Sequence, residues 1–393
     1  MGDYHKIEKC RACHADAGRL KVVLEMAPMP LAGQFCPTAE EALSANRFPL
    51  TWVKCFRCGA VQVLEDVNDD VLFTEYNYSS STVPGLVRHF EGYAGFLGQR
   101  FGTGEPVKLL EIGCNDGVLL NRLPAEWDLH GVDPSDVALR AAKDSRYELI
   151  NTPWSPELVE QEGLAGSLDV VTGSNCLAHI TDIRSVFAGV AVALRMGGEF
   201  WVEVHDLASL LDGSQWDTIY HEHKLEWSED ALVCNMESLG LRHVETHKLP
   251  LHGGLLRVGF RKESGVAGGF SDSIEMEPGL EELADAYRRR YEHPSVGVLL
   301  KAQEEGMKVG AYGASGRANV YLNQLIEFSP AYIVDESPLR AGKFIPCRGT
   351  PVVSRERLSE EPVSHCLITA WNYRDDIVAK NPDHGGQWLT AFE

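Results

Sequence analysis

The stretch VKLLEIGCNDG, residues 107–117, decides the fold of this chain. A short apolar run leads into a turn with two glycines, Gly113 and Gly117, and the next residues, VLLNRL, have helical spacing. This order predicts a strand, a tight turn and a helix, which together open a doubly wound α/β domain. Because glycine has no side chain, such a turn lets the backbone approach a ligand closely. Glu111, at the end of the strand, offers a carboxylate to a cationic or hydroxyl-bearing ligand.

Later segments continue the same alternation of strand and helix. A second predicted strand ends at Asp133, whose carboxylate is suited to the two hydroxyls of a ribose. A third strand at 168–173 leads into Ser174 and Asn175, and a fourth covers 198–204. This alternation predicts a parallel sheet with its ligand at the carboxyl ends of the strands.

An antiparallel hairpin is predicted to end this domain, because the apolar pieces 242–247 and 255–260 flank the turn PLHGG. That ending distinguishes a class I S-adenosylmethionine-dependent methyltransferase from a nicotinamide-binding protein. The first strand is also not followed by a compact Gly-x-Gly-x-x-Gly, which disfavours a dehydrogenase. We therefore expect a Rossmann-like class I methyltransferase sheet. The predicted S-adenosylmethionine site is Glu111, Gly113, Asn115, Asp116, Gly117, Asp133, Ser174 and Asn175.

Two cysteine pairs mark the N-terminal part, Cys10-Arg-Ala-Cys13 and Cys55-Phe-Arg-Cys58. A Cys-x-x-Cys knuckle turns both thiolates inward, and two knuckles supply the four sulfur ligands that a structural zinc ion prefers. A closed shell leaves no position for water, so we assign this Zn²⁺ to folding and not to catalysis. The long interval between the pairs predicts a small sheet insertion. The alternative is four reduced, buried cysteines without a metal.

Length and composition limit the possible function classes. A chain of 393 residues suggests two or three domains. The net charge of −21 opposes nucleic-acid or membrane partners, because both need clustered Lys and Arg. With no signal-peptide core and no apolar run of membrane-spanning length, we expect a cytoplasmic protein. Ten cysteines in that reducing compartment favour metal ligands or small buried hydrophobes over disulfides.

The densest polar cluster is WDTIYHEH, residues 216–223, just beyond the fourth strand. A histidine can remove a proton from carbon next to a ketone, and a tyrosine hydroxyl can donate to the resulting enolate oxygen. The sequence His221-Glu222-His223 also suggests a catalytic metal, but ligands at i and i+2 diverge and the pattern His-Glu-x-x-His is absent. A structural polar loop is the remaining alternative. His179, at another strand end, orients substrate or is a hydrogen-bonded core histidine.

These residues together resemble the sugar C-methyltransferases of deoxysugar biosynthesis. The most specific element is the run DTIYHEH, residues 217–223. The resemblance implies a zinc-binding domain, a class I methyltransferase domain and a Rossmann-like C-terminal domain, which we place at 1–80, 81–262 and 280–393. It runs in order through the cysteine knuckles, EIGCNDG at 111–117, Asn175 to His179, DTIYHEH, His252-Gly253-Gly254 and AYGA at 311–314.

The resemblance also implies a reaction, the methylation of C3 in a nucleotide-diphosphate-linked 4-keto deoxyhexose, with thymidine diphosphate as the nucleotide. His223 would remove the proton alpha to the ketone. Tyr220 and Glu222 would stabilise the enolate or hold the sugar, and His179 would contact the reacting end. A tyrosine of the segment 76–79 would close over the substrate. The implied catalytic set is His223, Tyr220, Glu222, His179, Tyr76 and Tyr78.

The chain departs from the family pattern at two places. After His223 the residues KLEWS replace an apolar residue, a small residue and a tyrosine, and Arg317 stands where a lysine is usual. The run MKVGAYGASGR, 307–317, predicts a second strand-turn-helix opening after a Gly- and Ser-rich linker at 263–279. We assign this C-terminal domain to the sugar nucleotide, with a scaffold as the alternative. The residues expected to bind substrate are His221, His252, Arg317, Asn319 and Lys343.

Two other functions stay open on the sequence alone. A methyltransferase acting on oxygen or nitrogen would use His223 to deprotonate a hydroxyl or an amine. A zinc-containing binding module with a degenerate methyltransferase body belongs to a different class and would not bind S-adenosylmethionine. The oligomeric state is open, with a monomer favoured.

Overall fold

The computed structural model describes residues 3–72, 79–82, 84–102, 104–266, 268–270 and 274–392. The predicted sheet insertion is present, since the long hairpin of β2 and β3 lies between the two cysteine pairs and β3 ends at Cys55. The elements of this N-terminal part are β1 (Tyr4–Lys6), β2 (Leu20–Met29), α1 (Ala39–Leu43), β3 (Phe48–Cys55), β4 (Val61–Val63), β5 (Glu65–Val67) and α2 (Asp69–Leu72).

The N-terminal sheet takes its last strand from the middle of the chain. Its order is β11-β4-β3-β2, and β11 (Leu225–Glu226) begins two residues after His223. Leu225 pairs with Gln62, and Glu226 pairs with Val61. The segment that carries the candidate catalytic residues is therefore anchored on the cysteine-rich part by backbone pairing, while the domain limits 1–80, 81–262 and 280–393 stay predictions.

The middle part forms a seven-stranded sheet in the order β12-β13-β10-β9-β6-β7-β8. Its strands are parallel except that β13 runs antiparallel to both β10 and β12, so the predicted parallel sheet and closing hairpin are confirmed. The other elements are α3 (Pro84–Phe101), β6 (Lys108–Ile112), β7 (Asp128–Val132), α4 (Asp136–Ala141), β8 (Glu148–Ile150), α5 (Pro156–Gln161), β9 (Leu168–Ser174), α6 (Ile183–Ala193), β10 (Leu194–His205), α7 (Leu207–Asp212), α8 (Glu229–Glu237), β12 (Leu241–Leu249) and β13 (Leu255–Lys262).

The helix predicted for VLLNRL, residues 118–123, is wrong. Only one 3₁₀ turn forms there, Leu120–Arg122, and Leu123 is already extended with ψ 165°. The reason is Pro124, which has no N–H to donate and disfavours helical backbone in the residue before it. The apolar side chains still pack inward, since Leu119 and Leu120 are fully buried.

The C-terminal part is a second doubly wound unit, as predicted. Its five parallel strands have the order β16-β15-β14-β17-β18. Its elements are α9 (Pro278–Arg288), α10 (Pro294–Glu304), β14 (Val309–Tyr312), α11 (Gly316–Gln324), β15 (Ile333–Val334), β16 (Val352–Val353), α12 (Arg357–Glu360), β17 (His365–Ile368), α13 (Arg374–Lys380) and β18 (Gln387–Thr390).

One apolar core joins the three parts. Trp52 of β3, Leu207 of α7, Leu280 of α9 and Trp216 all belong to it. Trp216 stacks on Tyr321 of α11, with ring centroids 5.0 Å apart and an interplanar angle of 8°. The segment 216–223 is thus held between the methyltransferase sheet and the C-terminal unit. Within the described ranges, no helix combines the length and the apolar character that a membrane span needs.

Candidate active site

The four knuckle cysteines converge on one point. Their sulfur atoms lie within 4.8 Å of one another and are buried. The Sγ atoms of Cys10 and Cys58 are 3.7 Å apart, as are those of Cys13 and Cys55. Tetrahedral Zn²⁺ with Zn–S bonds of about 2.3 Å separates its sulfur ligands by about 3.8 Å, so the four thiolates fit this ion.

The two knuckles share one backbone conformation. The N–H of His14 donates to the carbonyl of Cys10, and the N–H of Gly59 donates to that of Cys55, each at 2.9 Å. His14 and Gly59 both have positive φ, 55° and 80°. Glycine suits the second position, because a Cβ there would lie 3.2 Å from the Cβ of Ala231.

The cysteine cluster contacts the strand that pairs with β11, directly after the candidate catalytic residues 220–223. Gln62 of β4 donates from Nε2 to the Sγ of Cys10 at 3.2 Å, and its Oε1 accepts from the N–H of Arg11 at 3.0 Å. The backbone of the same residue pairs with Leu225 of β11. A metal bound by the cysteines therefore orders a residue that is directly paired with the chain just after His223.

Three buried charges strengthen this junction. Asp66 accepts from Arg11 Nη2 at 3.0 Å, and its Oδ1 lies 3.1 Å from Lys224 Nζ. All three side chains are 7% exposed or less. Burial alone would raise the pKa of Asp66, but Lys224 and Arg11 outweigh it and hold that pKa below its ordinary value.

The predicted cofactor residues meet at the carboxyl ends of β6, β7 and β9. Asp133 accepts from the N–H of Asn115 at 2.9 Å and from that of Ser135 at 2.8 Å, which fixes its carboxylate at the tip of β7. Asn115 and Asn175 both have positive φ, 49° and 56°. Such backbone is strained for a residue with a side chain, and it is typical of sites where a loop is shaped around a ligand.

Several polar atoms at these strand ends have no protein partner. Burial raises the pKa of Glu111 well above its ordinary value, and Asp133 and Glu203 add to this by like-charge repulsion. A site of this kind suits S-adenosylmethionine, whose sulfonium and ammonium groups are cations and whose ribose has two hydroxyls. The unpaired buried atoms are Glu111 Oε2, Asp116 Oδ1, Ser174 Oγ and Asn175 Oδ1.

The two glycines of the first turn are required by protein packing as well as by any ligand. A Cβ on Gly113 would lie 2.5 Å from the Cβ of Cys176, and one on Gly117 would lie 2.4 Å from the ring of Tyr147. Both glycines also have positive φ, 69° and 70°. Protein packing and backbone conformation therefore require glycine at both positions, in addition to the close approach of a ligand that the sequence predicts.

Tyr220 and His223 form a close pair at the centre of the polar segment. The hydroxyl of Tyr220 lies 2.6 Å from Nε2 of His223, and the rings stack at 4.0 Å. Burial lowers the pKa of His223 well below its ordinary value, and electrostatic repulsion from His205 and His179 lowers it further. Burial likewise raises the pKa of Tyr220. Near neutral pH the pair is therefore an uncharged imidazole beside a protonated phenol.

His179 joins this pair from the end of β9. Its ring lies 5.1 Å from that of His223, and its Nδ1 is 2.7 Å from the carbonyl of Glu222. A carbonyl only accepts hydrogen bonds, so Nδ1 carries the proton and Nε2 keeps a lone pair. Burial lowers the pKa of His179 to about 4.

Two residues that the sequence analysis did not single out complete the cluster. His205, the last residue of β10, has its ring 4.9 Å from that of His223. Glu226 of β11 places one carboxylate oxygen 3.6 Å from His205 Nδ1 and the other 3.9 Å from His223 Nδ1. His205 was identifiable in principle, because it is polar and follows the apolar run of the fourth strand.

Three predicted site residues form hydrogen bonds with backbone groups of the N-terminal part. His221 is fully buried, and its Nε2 donates to the carbonyl of Pro49 at 2.9 Å. Asn319 is also fully buried and donates to the carbonyl of Ala32 at 2.6 Å. Glu222 accepts from the N–H of Gly33 at 2.7 Å. For His221 and Asn319 the structure therefore shows contacts that hold the N-terminal part in place, and their role in substrate binding stays a prediction.

The remaining substrate candidates are placed as follows. Arg317 faces the cluster but is paired with the buried Asp217 through Nε at 3.0 Å and through Nη2, so its charge is already compensated. His252 has φ 55°, and its ring lies 6.4 Å from that of His205, whereas Lys343 lies in the loop after β15. Tyr76 and Tyr78 lie outside the described residues.

The fold and the site define a class I methyltransferase with an N-terminal cysteine cluster that fits zinc. Family models match in the same order along the chain: a zinc binding domain at residues 10–73, a methyltransferase domain at 110–200 and a C-methyltransferase C-terminal domain at 250–392. The chain is 30% identical to C-methyltransferase NovU of Streptomyces niveus, over 98% of this chain and 96% of that protein. The chain therefore belongs to the family of this C-methyltransferase.

Two further similar proteins match only part of the chain. An O-methyltransferase of ubiquinone biosynthesis from Cupriavidus pinatubonensis is 34% identical over 28% of this chain and 43% of its own length. The crystal structure of N-methyltransferase NodS from Bradyrhizobium japonicum WM9 with S-adenosyl-L-homocysteine has a TM-score of 0.35 and 19% identity, over 50% of this chain and 93% of that one.

Membership of this family establishes the enzyme class of the protein. The protein is an S-adenosylmethionine-dependent C-methyltransferase, and its cofactors are S-adenosylmethionine and the zinc ion of the cysteine cluster. This confirms the predicted enzyme class and cofactors.

Proposed function

We propose that this protein methylates C3 of a nucleotide-diphosphate-linked 4-keto deoxyhexose, with His223 as the base. One observation carries the proposal, the 2.6 Å contact between Nε2 of His223 and the hydroxyl of Tyr220. A ketone presents its oxygen and its alpha hydrogen on neighbouring atoms. A base and a hydrogen-bond donor that touch each other can therefore address both at once.

The step is a transfer of one proton and one methyl group. When the ketone oxygen takes the hydroxyl hydrogen bond of Tyr220, the lone pair on Nε2 of His223 is freed for the C3 hydrogen. The proton moves to Nε2 of His223, the C–H electron pair forms a double bond between C3 and C4, and the carbonyl electrons move to the oxygen, which gives an enolate that Tyr220 stabilises. When bound, S-adenosylmethionine would supply the methyl group for the new C–C bond at C3 and would leave as S-adenosylhomocysteine. Holding the two partners together lowers such a barrier by about 7–11 kcal/mol.

His179 and Glu222 support this arrangement in different ways. The hydrogen bond from Nδ1 of His179 to the Glu222 carbonyl orients its ring, and its free Nε2 can accept a hydroxyl of the sugar. The carboxylate of Glu222 instead holds Gly33 and keeps one oxygen, Oε2, without a partner. We assign His179 to substrate and Glu222 to positioning the turn.

A cavity of about 560 Å³ beside Trp216 supports the nucleotide part of the proposal. It is lined by Arg289, Arg290, Trp371 and Phe392, among other residues. This volume is in the range of small-molecule sites. Arginine binds phosphates well, and aromatic rings stack on bases. Calorimetry with thymidine diphosphate tests this point, and Arg289→Gln should weaken binding about tenfold, as expected for one lost charged hydrogen bond.

The base assignment is tested by solvent exchange. In deuterated water the wild-type enzyme should exchange the C3 hydrogen of the keto sugar, and His223→Asn should lose both exchange and methyl transfer while it still binds S-adenosylmethionine. His179→Asn, which would lose a contact with the sugar but leave the proposed base in place, should exchange the C3 hydrogen more slowly than the wild type without losing exchange. Exchange that survives in His223→Asn but disappears in His179→Asn would reassign the base. A substrate methylated on oxygen or nitrogen would show no exchange at carbon.

A further inference from the structure

The cluster of His205, His223 and Glu226 contains buried polar atoms that form no hydrogen bond with the described part of the protein. Four buried atoms lack a hydrogen-bond partner, namely Nδ1 of each histidine and both carboxylate oxygens of Glu226. The Glu226 side chain is only 2% exposed. Buried polar atoms without a partner are costly, so a bound ligand that pairs with all four would stabilise the cluster.

Direct hydrogen bonds do not explain the arrangement. Glu226 is 3.6 Å from Nδ1 of His205 and 3.9 Å from Nδ1 of His223, and both distances exceed those of a hydrogen bond. The three ligand atoms nevertheless lie within 4.8 Å of one another. The Glu226 carboxylate therefore lies close to both rings without a hydrogen bond to either.

The spacing fits a bound metal ion. A tetrahedral ion with bonds of about 2.0–2.2 Å to nitrogen and oxygen separates its ligands by about 3.4 Å, which small side-chain movements reach from the present distances. Two neutral imidazoles and one carboxylate form a set that suits zinc, cobalt or nickel. We propose that His205, His223 and Glu226 bind one divalent transition-metal ion, separate from the zinc of the four cysteines.

The proposed site has a consequence for catalysis, which rests on the proposed function. An ion on Nδ1 of His223 leaves the ring proton on Nε2, so the same histidine no longer has a lone pair for the C3 hydrogen. The ion and the substrate proton therefore compete for one side chain. Occupation of this site is expected to inhibit methyl transfer reversibly.

Cobalt titration tests the binding directly. Protein that retains its cysteine-bound zinc is titrated with CoCl₂ and followed by visible absorption. One Co²⁺ per chain should bind with the weak bands of nitrogen and oxygen ligands and without the strong near-ultraviolet band of cobalt–thiolate bonds. Glu226→Gln should weaken this binding at least tenfold. An unchanged affinity in that variant, or no binding by the wild type, would overturn the proposal.

Two controls separate loss of the site from loss of the fold. Glu229→Gln alters a half-buried carboxylate that also lies 3.9 Å from a histidine, His243, and should bind Co²⁺ like the wild type. One zinc per chain and normal S-adenosylmethionine binding in Glu226→Gln show that this variant is folded. His205→Gln gives a second, independent removal of a ligand and should also lose at least tenfold in affinity.

The inhibition is measured separately from the binding. Adding Zn²⁺ should suppress wild-type turnover and a metal buffer should restore it, whereas His205→Gln should need at least tenfold more Zn²⁺ for the same effect. Binding without inhibition would overturn the competition for His223 but not the site. If His223→Asn still exchanges the C3 hydrogen, the proposed base is wrong, and the cobalt spectrum still decides the metal site.

Discussion

Replacing Asp66 by asparagine should destabilise the chain and lower its activity, although Asp66 is not in the catalytic cluster. Its carboxylate is the counter-charge of two buried cations, Arg11 at 3.0 Å and Lys224 at 3.1 Å. The side chains of these cations are 2% and 1% exposed. Lys224 directly follows His223 in the chain. A loss of order around the buried ion pairs should therefore displace the proposed base.

The expected size follows from the geometry. At about 3 Å and an effective dielectric constant of about 20, each pair attracts by roughly 5 kcal/mol before desolvation is counted. Desolvation cancels much of this, and removing one partner of a buried pair typically costs about 3–5 kcal/mol. Asparagine keeps one acceptor oxygen but no charge. We therefore expect the free energy of unfolding of the junction to fall by about 3–5 kcal/mol.

The assay is urea unfolding followed by zinc release and tryptophan fluorescence, together with kcat. The matched control is Glu263→Gln, which removes the same charge from an ion pair with Arg242 whose side chains are 35% and 51% exposed. An exposed pair contributes about 1 kcal/mol or less. The control should thus unfold almost like the wild type and keep its kcat.

Two outcomes would refute this reasoning. If Asp66→Asn released zinc at the same urea concentration as Glu263→Gln, the buried charges would not depend on Asp66. If the double variant Asp66→Asn, Lys224→Met were destabilised by the full sum of its single variants, the two residues would not be coupled. The structure predicts instead that removing Lys224 recovers part of the loss, because one uncompensated cation is gone.

Three further predictions concern other parts of the molecule. Cys58→Ser should lose the zinc ion by elemental analysis and lower kcat as well as stability, because the cluster orders the strand that pairs with β11. Glu111→Gln should weaken S-adenosylmethionine about 10–100-fold by calorimetry, as expected for a lost charged hydrogen bond. Since the pKa of Glu111 is raised in the free protein and the cationic cofactor favours the ionised form, wild-type affinity should increase as the pH rises through that pKa, and the variant should lose this dependence. Trp216→Ala should cost about 3–5 kcal/mol in thermal unfolding, because the ring is 3% exposed and stacks on Tyr321, and an unchanged melting temperature would contradict that packing.

Local sequence was sufficient for features that depend on neighbouring residues. Each cysteine knuckle is formed by four consecutive residues. The strand ends at Glu111, Asp133 and Ser174 converge because parallel strands bring their carboxyl ends to one edge. The helix predicted for residues 118–123 also had a local signal against it, because Pro124 disfavours helical backbone in the residue before it.

The turn at residues 220–223 shows where the local sequence pattern stops being informative. His221 and His223 are two positions apart and chemically identical, yet the first is fully buried against Pro49 and the second contacts Tyr220. No property of the neighbouring residues in the sequence distinguishes the two histidines. The difference arises because the N-terminal sheet covers one side of the turn.

The sequence by itself determined the fold class, the zinc ligands and the approximate place of the cofactor, since each follows from short-range pattern or from the rules of parallel sheets, and its resemblance to the sugar C-methyltransferases implied the enzyme class. Only the tertiary structure decided that His205 and Glu226 join His223, and that Arg317 is neutralised by Asp217. These contacts join residues up to 100 positions apart, and Glu226 is placed by its strand pairing with Val61. Chain segments so far apart are brought together by the packing of the shared core. The sequence pattern within one segment does not indicate which distant segment it will contact.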